Sequence, residues 1–264
     1  MTAVYDLIEG ETPLIVSIPH CGTTLPPGLI DRLSPPARLL PDTDWHVGRL
    51  YDFARGLGAT VIAARLSRFV IDLNRPADGA SLYPGQATTG LCPTTLFDGT
   101  PLYLPGAEPT PTEIAARVES YWRPYHRALA GELARIKARH GHAVLYDAHS
   151  IRAEVPRLFE GRLPDLNLGT AGGASLSPAF APLLDDWRGE AETAGFTTVL
   201  NGRFIGGHIT RAYGQPADNI QALQMELVQQ RYMDEESYAY LPDRANTLRP
   251  LLHRLLDRLI AWRP

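Results

Sequence analysis

Apolar and polar positions fall along the chain in blocks that predict strands and helices in turn. Residues 13–20 (PLIVSIPH) form an Ile- and Val-rich run stopped by Pro19, the pattern of a buried strand. Apolar residues at helical spacing follow (Val47, Leu50, Tyr51, Ala54 and Leu57). They predict a helix that starts near Asp44 under a Thr43 cap and ends at Gly58. Two further strands are predicted at 59–64 (ATVIAA) and 69–73 (FVIDL). Residues 76–111 are rich in Pro, Gly and Thr and show no period, which marks a long functional loop. A helix over 112–139 comes next, with Pro124 placed to kink it. A strand at 143–146 runs into Asp147-Ala148-His149-Ser150.

The second half is less regular. Residues 152–178 read as another long loop. Its run Gly169-Thr170-Ala171-Gly172-Gly173 lacks the phosphate-binding fingerprints, so a plain loop is the reading. A helix over 178–194 and a short strand over 197–201 follow. Residues 220–229 fit either element. As a strand they place Ala222, Gln224, Glu226 and Val228 on one face and Gln221, Leu223, Met225 and Leu227 on the other. An amphipathic helix over 248–262 ends the pattern. Strands alternating with helices imply an α/β fold with helices on both faces of a sheet, and such folds bind ligands beyond the carboxyl ends of their strands. His20, Asn74-Arg75 and His149 all fall at such ends.

Composition narrows the functional classes. The length of 264 residues suits one large α/β domain, residues 1–264, whose core needs no disulfide or structural metal. A net charge of −4 argues against nucleic acid as a partner. Cys21 and Cys92 form no CxxC pair, which suggests a reducing compartment. The N-terminus carries Asp6, Glu9 and Glu11 and no basic segment, so it does not read as a signal peptide. No apolar run is long enough to span a bilayer. The expectation is a cytoplasmic protein without membrane or nucleic-acid partners.

Of the eight histidines, His126, His140, His142 and His253 lie in or beside predicted helices and read as solvated or packing residues. His20 and His149 each follow an apolar strand and are followed by small residues. Two imidazoles joined by a carboxylate, with one position open, describe a catalytic zinc site. Asp42, Asp44 and His46 are candidates for the third ligand. Residues two apart on a helix do not share a face, and an acidic residue at a helix start is a routine cap, so spacing leaves the choice open. Asp147, two residues before His149 on the same strand face, is placed to orient that imidazole. Asn74-Arg75 is suited to gripping a carboxylate. Arg203, His208 and Arg211 lie in a second polar loop, and a substrate with two carboxylates needs two such contacts. Glu226 sits in an apolar and amide-rich segment, where a carboxylate is either paired or raised in pKa and poised as a general base. Cys21 beside His20, or Ser150, would be the nucleophile of a metal-free hydrolase.

Taken in order, the segments Ser17-Ile18-Pro19-His20, Asp42-Thr43-Asp44-Trp45-His46, Ser67-Arg68 through Asp72-Leu73-Asn74-Arg75-Pro76, Tyr146-Asp147-Ala148-His149-Ser150, Asn201-Gly202-Arg203-Phe204 through Gly206-Gly207-His208-Ile209-Thr210, and Gln224-Met225-Glu226-Leu227 resemble the N-formylglutamate deformylase family across essentially the whole chain. The resemblance implies a zinc-carboxypeptidase-like, three-layer fold with a mixed sheet between helices. It implies one divalent ion, most simply zinc, on His20, Asp44 and His149. The carboxypeptidase pattern has a close His-x-x-Glu pair; position 23 here is Thr, so the carboxylate comes from farther on, which favours Asp44. Glu226 would be the general base, Arg68 would polarise the scissile carbonyl, and Asn74-Arg75 would hold a substrate carboxylate. The implied reaction is hydrolysis of N-formyl-L-glutamate to glutamate and formate, a step of histidine degradation. Removal of a succinyl or acetyl group from an acidic amino acid, or carboxylate binding without catalysis, are the alternatives.

Overall fold

The computed structural model describes residues 3–82, 85 and 87–264; residues 83, 84 and 86 of the predicted 76–111 loop lie outside the described residues. Seven strands form one sheet: β1 (Tyr5–Ile8), β2 (Leu14–Ile18), β3 (Thr60–Ala64), β4 (Ala143–Ile151), β5 (Leu166–Gly169), β6 (Thr198–Leu200) and β7 (Ile220–Val228). Their order is β1-β3-β2-β4-β7-β5-β6. The central strands β3, β2, β4 and β7 are mutually parallel. β1 and β5 run against their inner neighbours. The sheet is therefore mixed, and four parallel carboxyl ends meet along one rim.

The helices are α1 (Leu29–Arg32), α2 (Val47–Leu50), α3 (Pro111–Arg117), α4 (Arg123–His140), α5 (Ala181–Thr193), α6 (His208–Tyr213) and α7 (Pro242–Ala261). Period-two alternation in β2 sends Leu14, Val16 and Ile18 to one face, against α2, α5 and α7. Ile15 points to the other face, against Leu129, Leu133 and Ile136 of α4. On the first side Trp187 is fully buried and donates its indole N–H to the Leu251 carbonyl at 3.0 Å. Each such buried large side chain contributes roughly 1.5–3 kcal/mol of transfer free energy. β7 adopts the strand form, with Leu223, Met225 and Leu227 on the α7 side and Ala222 on the α4 side.

Several expectations are corrected. Residues 69–73 form no strand: a turn closed by Val70 N–H to Ser67 O ends at 70, and 71–72 are irregular. Phe69, Val70, Ile71 and Leu73 are buried, so the apolar run reported burial without extension. The predicted 44–57 helix breaks into α2 and a 3-10 turn at Asp52–Arg55. It starts late because His46 takes a left-handed conformation (φ 62°) and Asp44 N–H is held by the His20 carbonyl. The 112–139 helix exists, but a π-helical turn at Val118–Trp122 leads into Pro124 and accommodates its missing N–H. β5 and a 3-10 turn at Ala171–Gly173 lie inside the 152–178 loop, and β1 has no counterpart among the predicted strands. α7 starts at Pro242, because its polar first turn hid it from the apolar period.

Candidate metal centre

His20, Asp44 and His149 come from three separate elements. His20 follows β2, Asp44 lies in the turn before α2, and His149 is near the end of β4. All three are buried, and one ligating atom from each lies within 4.8 Å of the others. The His20 and His149 ring centroids are 4.8 Å apart. The alternatives for the third position are engaged elsewhere. Asp42 accepts the Phe97 N–H at 2.8 Å, and His46 Nε2 is 2.7 Å from the Tyr238 carbonyl.

Each imidazole has a carboxylate behind it. His20 Nε2 lies 2.7 Å from Asp72 Oδ1, and His149 Nε2 lies 2.9 Å from Asp147 Oδ2. An ionised carboxylate only accepts, so His20 Nε2 carries a proton, and in both rings Nδ1 is the atom turned to Asp44. His149 Nδ1 is 3.0 Å and His20 Nδ1 is 3.8 Å from Asp44 Oδ2. The His20 Nδ1 and Asp44 Oδ1 atoms are buried and have no hydrogen-bond partner among the described residues. Two imidazole nitrogens and a carboxylate converging this way, with orphaned lone pairs, fit a divalent cation.

Electrostatics point the same way. Burial and the Arg68 cation depress His20 despite Asp72 and Asp44, which favours its neutral, ligating form. Burial also disfavours charge on His149, yet Asp147 and Asp44 outweigh it and hold its pKa well above the ordinary value. Surroundings that bind a proton this firmly suit a metal cation, which displaces it. Burial opposes the Asp72 carboxylate, but His20 and Arg68 hold it well below the usual range.

Asp72 holds several residues of the site at once. Its Oδ1 also accepts the Asn74 N–H at 2.8 Å, and its Oδ2 accepts Arg68 Nη2–H at 2.7 Å. An aspartate inside the apolar run 69–73 is the available signal for it, since burying an unpaired carboxylate is costly. Asn74 faces inward: its Nδ2 donates to Asp147 Oδ2 at 3.2 Å and its Oδ1 accepts the Ile209 N–H at 2.8 Å. Gly207 lies so close that a Cβ there would sit 2.3 Å from Asn74 Nδ2.

One cavity brings most of the expected residues together. Its lining includes His20, His149, Arg68, Asn74, Arg75 and Glu226, with Arg203 at the loop side. Glu226 pairs with His149 across β7 and β4. Burial pushes its carboxyl up to about 8, and Gln224 Nε2–H reaches its Oε2 at 3.4 Å. Gln224 also accepts the Gly207 N–H at 2.7 Å, a role the amide-rich sequence did not reveal. Arg75 and Arg203 brace the loops, donating to the carbonyls of Thr89 and of Leu158 and Ala87 respectively.

His208 and Arg211 are placed outside this lining. His208 packs against Trp122 and His126, and Arg211 donates to the Gly206 and Leu82 carbonyls. The nucleophile readings lose support. Burial pushes the Cys21 thiol up to about 12, and it points at the Ile18 and Ala64 carbonyls. Ser150 Oγ lies 2.7 Å from the Tyr232 hydroxyl, with both nitrogens of His149 committed to carboxylates.

No helix among the described residues is long and apolar enough to cross a membrane. The chain is 53% identical over 263 residues to the N-formylglutamate deformylase of Pseudomonas aeruginosa, covering 99% of this chain and 98% of that protein. It is 52% identical over 263 residues to the N-formylglutamate deformylase of Pseudomonas putida, covering 99% and 97%. The crystal structure of N-formylglutamate amidohydrolase from Ralstonia eutropha JMP134 superposes with a TM-score of 0.82 at 26% identity, over 97% of this chain and 98% of that one. Residues 12–233 match the family model as well, and with the relatives spanning nearly its whole length the chain belongs to the N-formylglutamate amidohydrolase family.

Proposed function

We propose that this protein hydrolyses N-formyl-L-glutamate to L-glutamate and formate with one divalent ion, most simply zinc, held by His20, Asp44 and His149. The observation that carries the reading is that these three groups converge, each imidazole backed by a carboxylate, and that His20 and His149 line a cavity that also holds Glu226, Arg68 and Arg75. Family membership supports the substrate: the Pseudomonas relatives are named for this deformylation.

A divalent ion bound at the three residues would supply Lewis-acid activation of water and of the formyl carbonyl. Glu226 takes the proton of the attacking water and delivers it to the departing amine of glutamate. Its carboxyl, raised to about 8 by burial, is a ready proton carrier, and a neighbouring cation favours its ionised form for the first transfer. Arg68 donates to the oxyanion; one such donor is worth about 3–4 kcal/mol in comparable sites. Asp72 keeps that guanidinium oriented. Arg75 and Arg203 hold the two substrate carboxylates, and Asn74 keeps Asp147 and the 206–209 loop in place behind them.

The test is formate release from N-formyl-L-glutamate by metal-stripped and zinc-reconstituted protein, with N-acetyl- and N-succinyl-L-glutamate alongside. Activity that returns only with metal and favours the formyl compound is expected. Full activity after complete metal removal refutes the metal assignment, and preference for a larger acyl group refutes the substrate.

A further inference from the structure

We infer that Phe97 is the wall that limits the size of the acyl group, and so makes the site one for formyl; the inference rests on the function proposed above. The cavity lining carries both donor side chains, Arg75, Thr88, Thr89 and Arg203, and apolar ones, Phe97, Ile151, Leu158 and Phe204. Of the apolar ones, Leu158 and Phe204 lie against Arg203. The substrate has two unlike halves. Its glutamyl half carries two carboxylates that need the donors, and its acyl end carries no charge.

Phe97 is the apolar lining residue that touches the expected oxyanion donor: the Arg68 guanidinium carbon lies 4.8 Å from its ring centroid. The substituent on the scissile carbonyl carbon is only two bonds from the oxygen that Arg68 binds. In formyl that substituent is a hydrogen; in acetyl it is a methyl that must fit beside whatever packs on Arg68.

The wall is rigid. The Phe97 N–H donates to the buried Asp42 carboxylate at 2.8 Å. Its segment is a tight turn, closed by Leu96 N–H to Thr100 O at 2.8 Å and Gly99 N–H to Leu96 O at 3.0 Å. The ring belongs to one buried apolar cluster with Ile151, Val155 and Val228. Clamped backbone and packed ring together prevent Phe97 from moving aside for one more methyl group.

The experiment compares wild type, F97A and F97L in the metal-loaded form, measuring kcat/KM for N-formyl-, N-acetyl- and N-propionyl-L-glutamate, with melting temperature as the check on folding. The acetyl-to-formyl ratio is expected to rise about tenfold or more in F97A, the usual worth of one methyl against a fixed apolar wall. The smaller change in F97L raises the acetyl ratio but leaves propionyl excluded, and this variant serves if F97A does not fold. A folded variant that hydrolyses the formyl compound with its acyl ratios within about threefold of wild type overturns the inference. Wild type that releases no formate overturns the deformylase reading, and the wall with it; the wild-type arm thus separates the two failures.

Discussion

Replacing Asp72 by Asn tests the architecture of the site without adding or removing a heavy atom. The carboxylate serves three groups: His20 Nε2–H at 2.7 Å, the Asn74 N–H at 2.8 Å, and Arg68 Nη2–H at 2.7 Å. Asparagine has one acceptor oxygen. If that oxygen keeps His20 and Asn74, its NH2 group points at Arg68, donor against donor. Asp72 is fully buried and Arg68 nearly so, so the cation loses its short-range counter-charge out of water. Breaking one side of a buried pair costs about 3–5 kcal/mol. Asp44 lies 3.7 Å from the other Arg68 terminus and offsets part of this, so the expected loss of folding stability is about 2–3 kcal/mol. The proposed metal site suffers separately. Removing the carboxylate behind a ligating imidazole weakens metal binding about 10–100-fold. Zinc affinity measured by chelator competition, together with denaturant unfolding of the metal-free protein, reads both effects. Zinc affinity within about threefold of wild type and unfolding free energy within about 0.5 kcal/mol would refute the claim that Asp72 organises this centre.

Other outcomes follow from the same geometry. Glu226→Gln should lower kcat about 100-fold or more while zinc affinity stays near wild type, and near-normal turnover by a zinc-loaded variant would remove Glu226 from the proton transfer. Gly207→Ala drives a Cβ to within 2.3 Å of Asn74 Nδ2, which Asp147 and Ile209 hold in place; a stability loss of about 1–3 kcal/mol with weakened zinc binding is expected, and wild-type values for both would contradict it. His126 is buried against Trp122 and the Leu73 carbonyl, and burial depresses it from 6.5 to about 3. Below about pH 6.5 the unfolded chain therefore binds a proton that the folded one does not. Its contribution is full above that pH and is lost as the pH falls toward 3, by about 2–3 kcal/mol on reaching about pH 4.5. In denaturant titrations His126→Gln should flatten that part of the stability profile, and an unchanged slope would count against it.

Much of the site was legible in local pattern. Apolar runs ending at His20 and His149 marked strand ends, because a strand buried on both faces reads as a continuous hydrophobic stretch and its polar residues collect where it stops. Glu226 stood out as a carboxylate in surroundings too apolar to leave it unexplained. Resemblance then supplied the choice of Asp44, which spacing had left open against Asp42 and His46. The run 69–73 has the pattern of a strand but is not one, since hydrophobicity reports burial and a turn can be as buried as a strand.

What the chain's pattern determined by itself was the inventory: an α/β protein, two central strands that end near His20 and His149, a stranded carboxylate and a pair of arginine-bearing loops. What only the tertiary structure decided was the partnership among them. The left-handed turn at His46 aims Asp44 at His149 and leaves His46 on the Tyr238 carbonyl. The order β3-β2-β4-β7 sets Asp72 behind His20, and Glu226 beside His149. Periodicity records which face of an element is buried. It holds no record of which distant element will cover that face, and at this site the covering partner gives each charge its role.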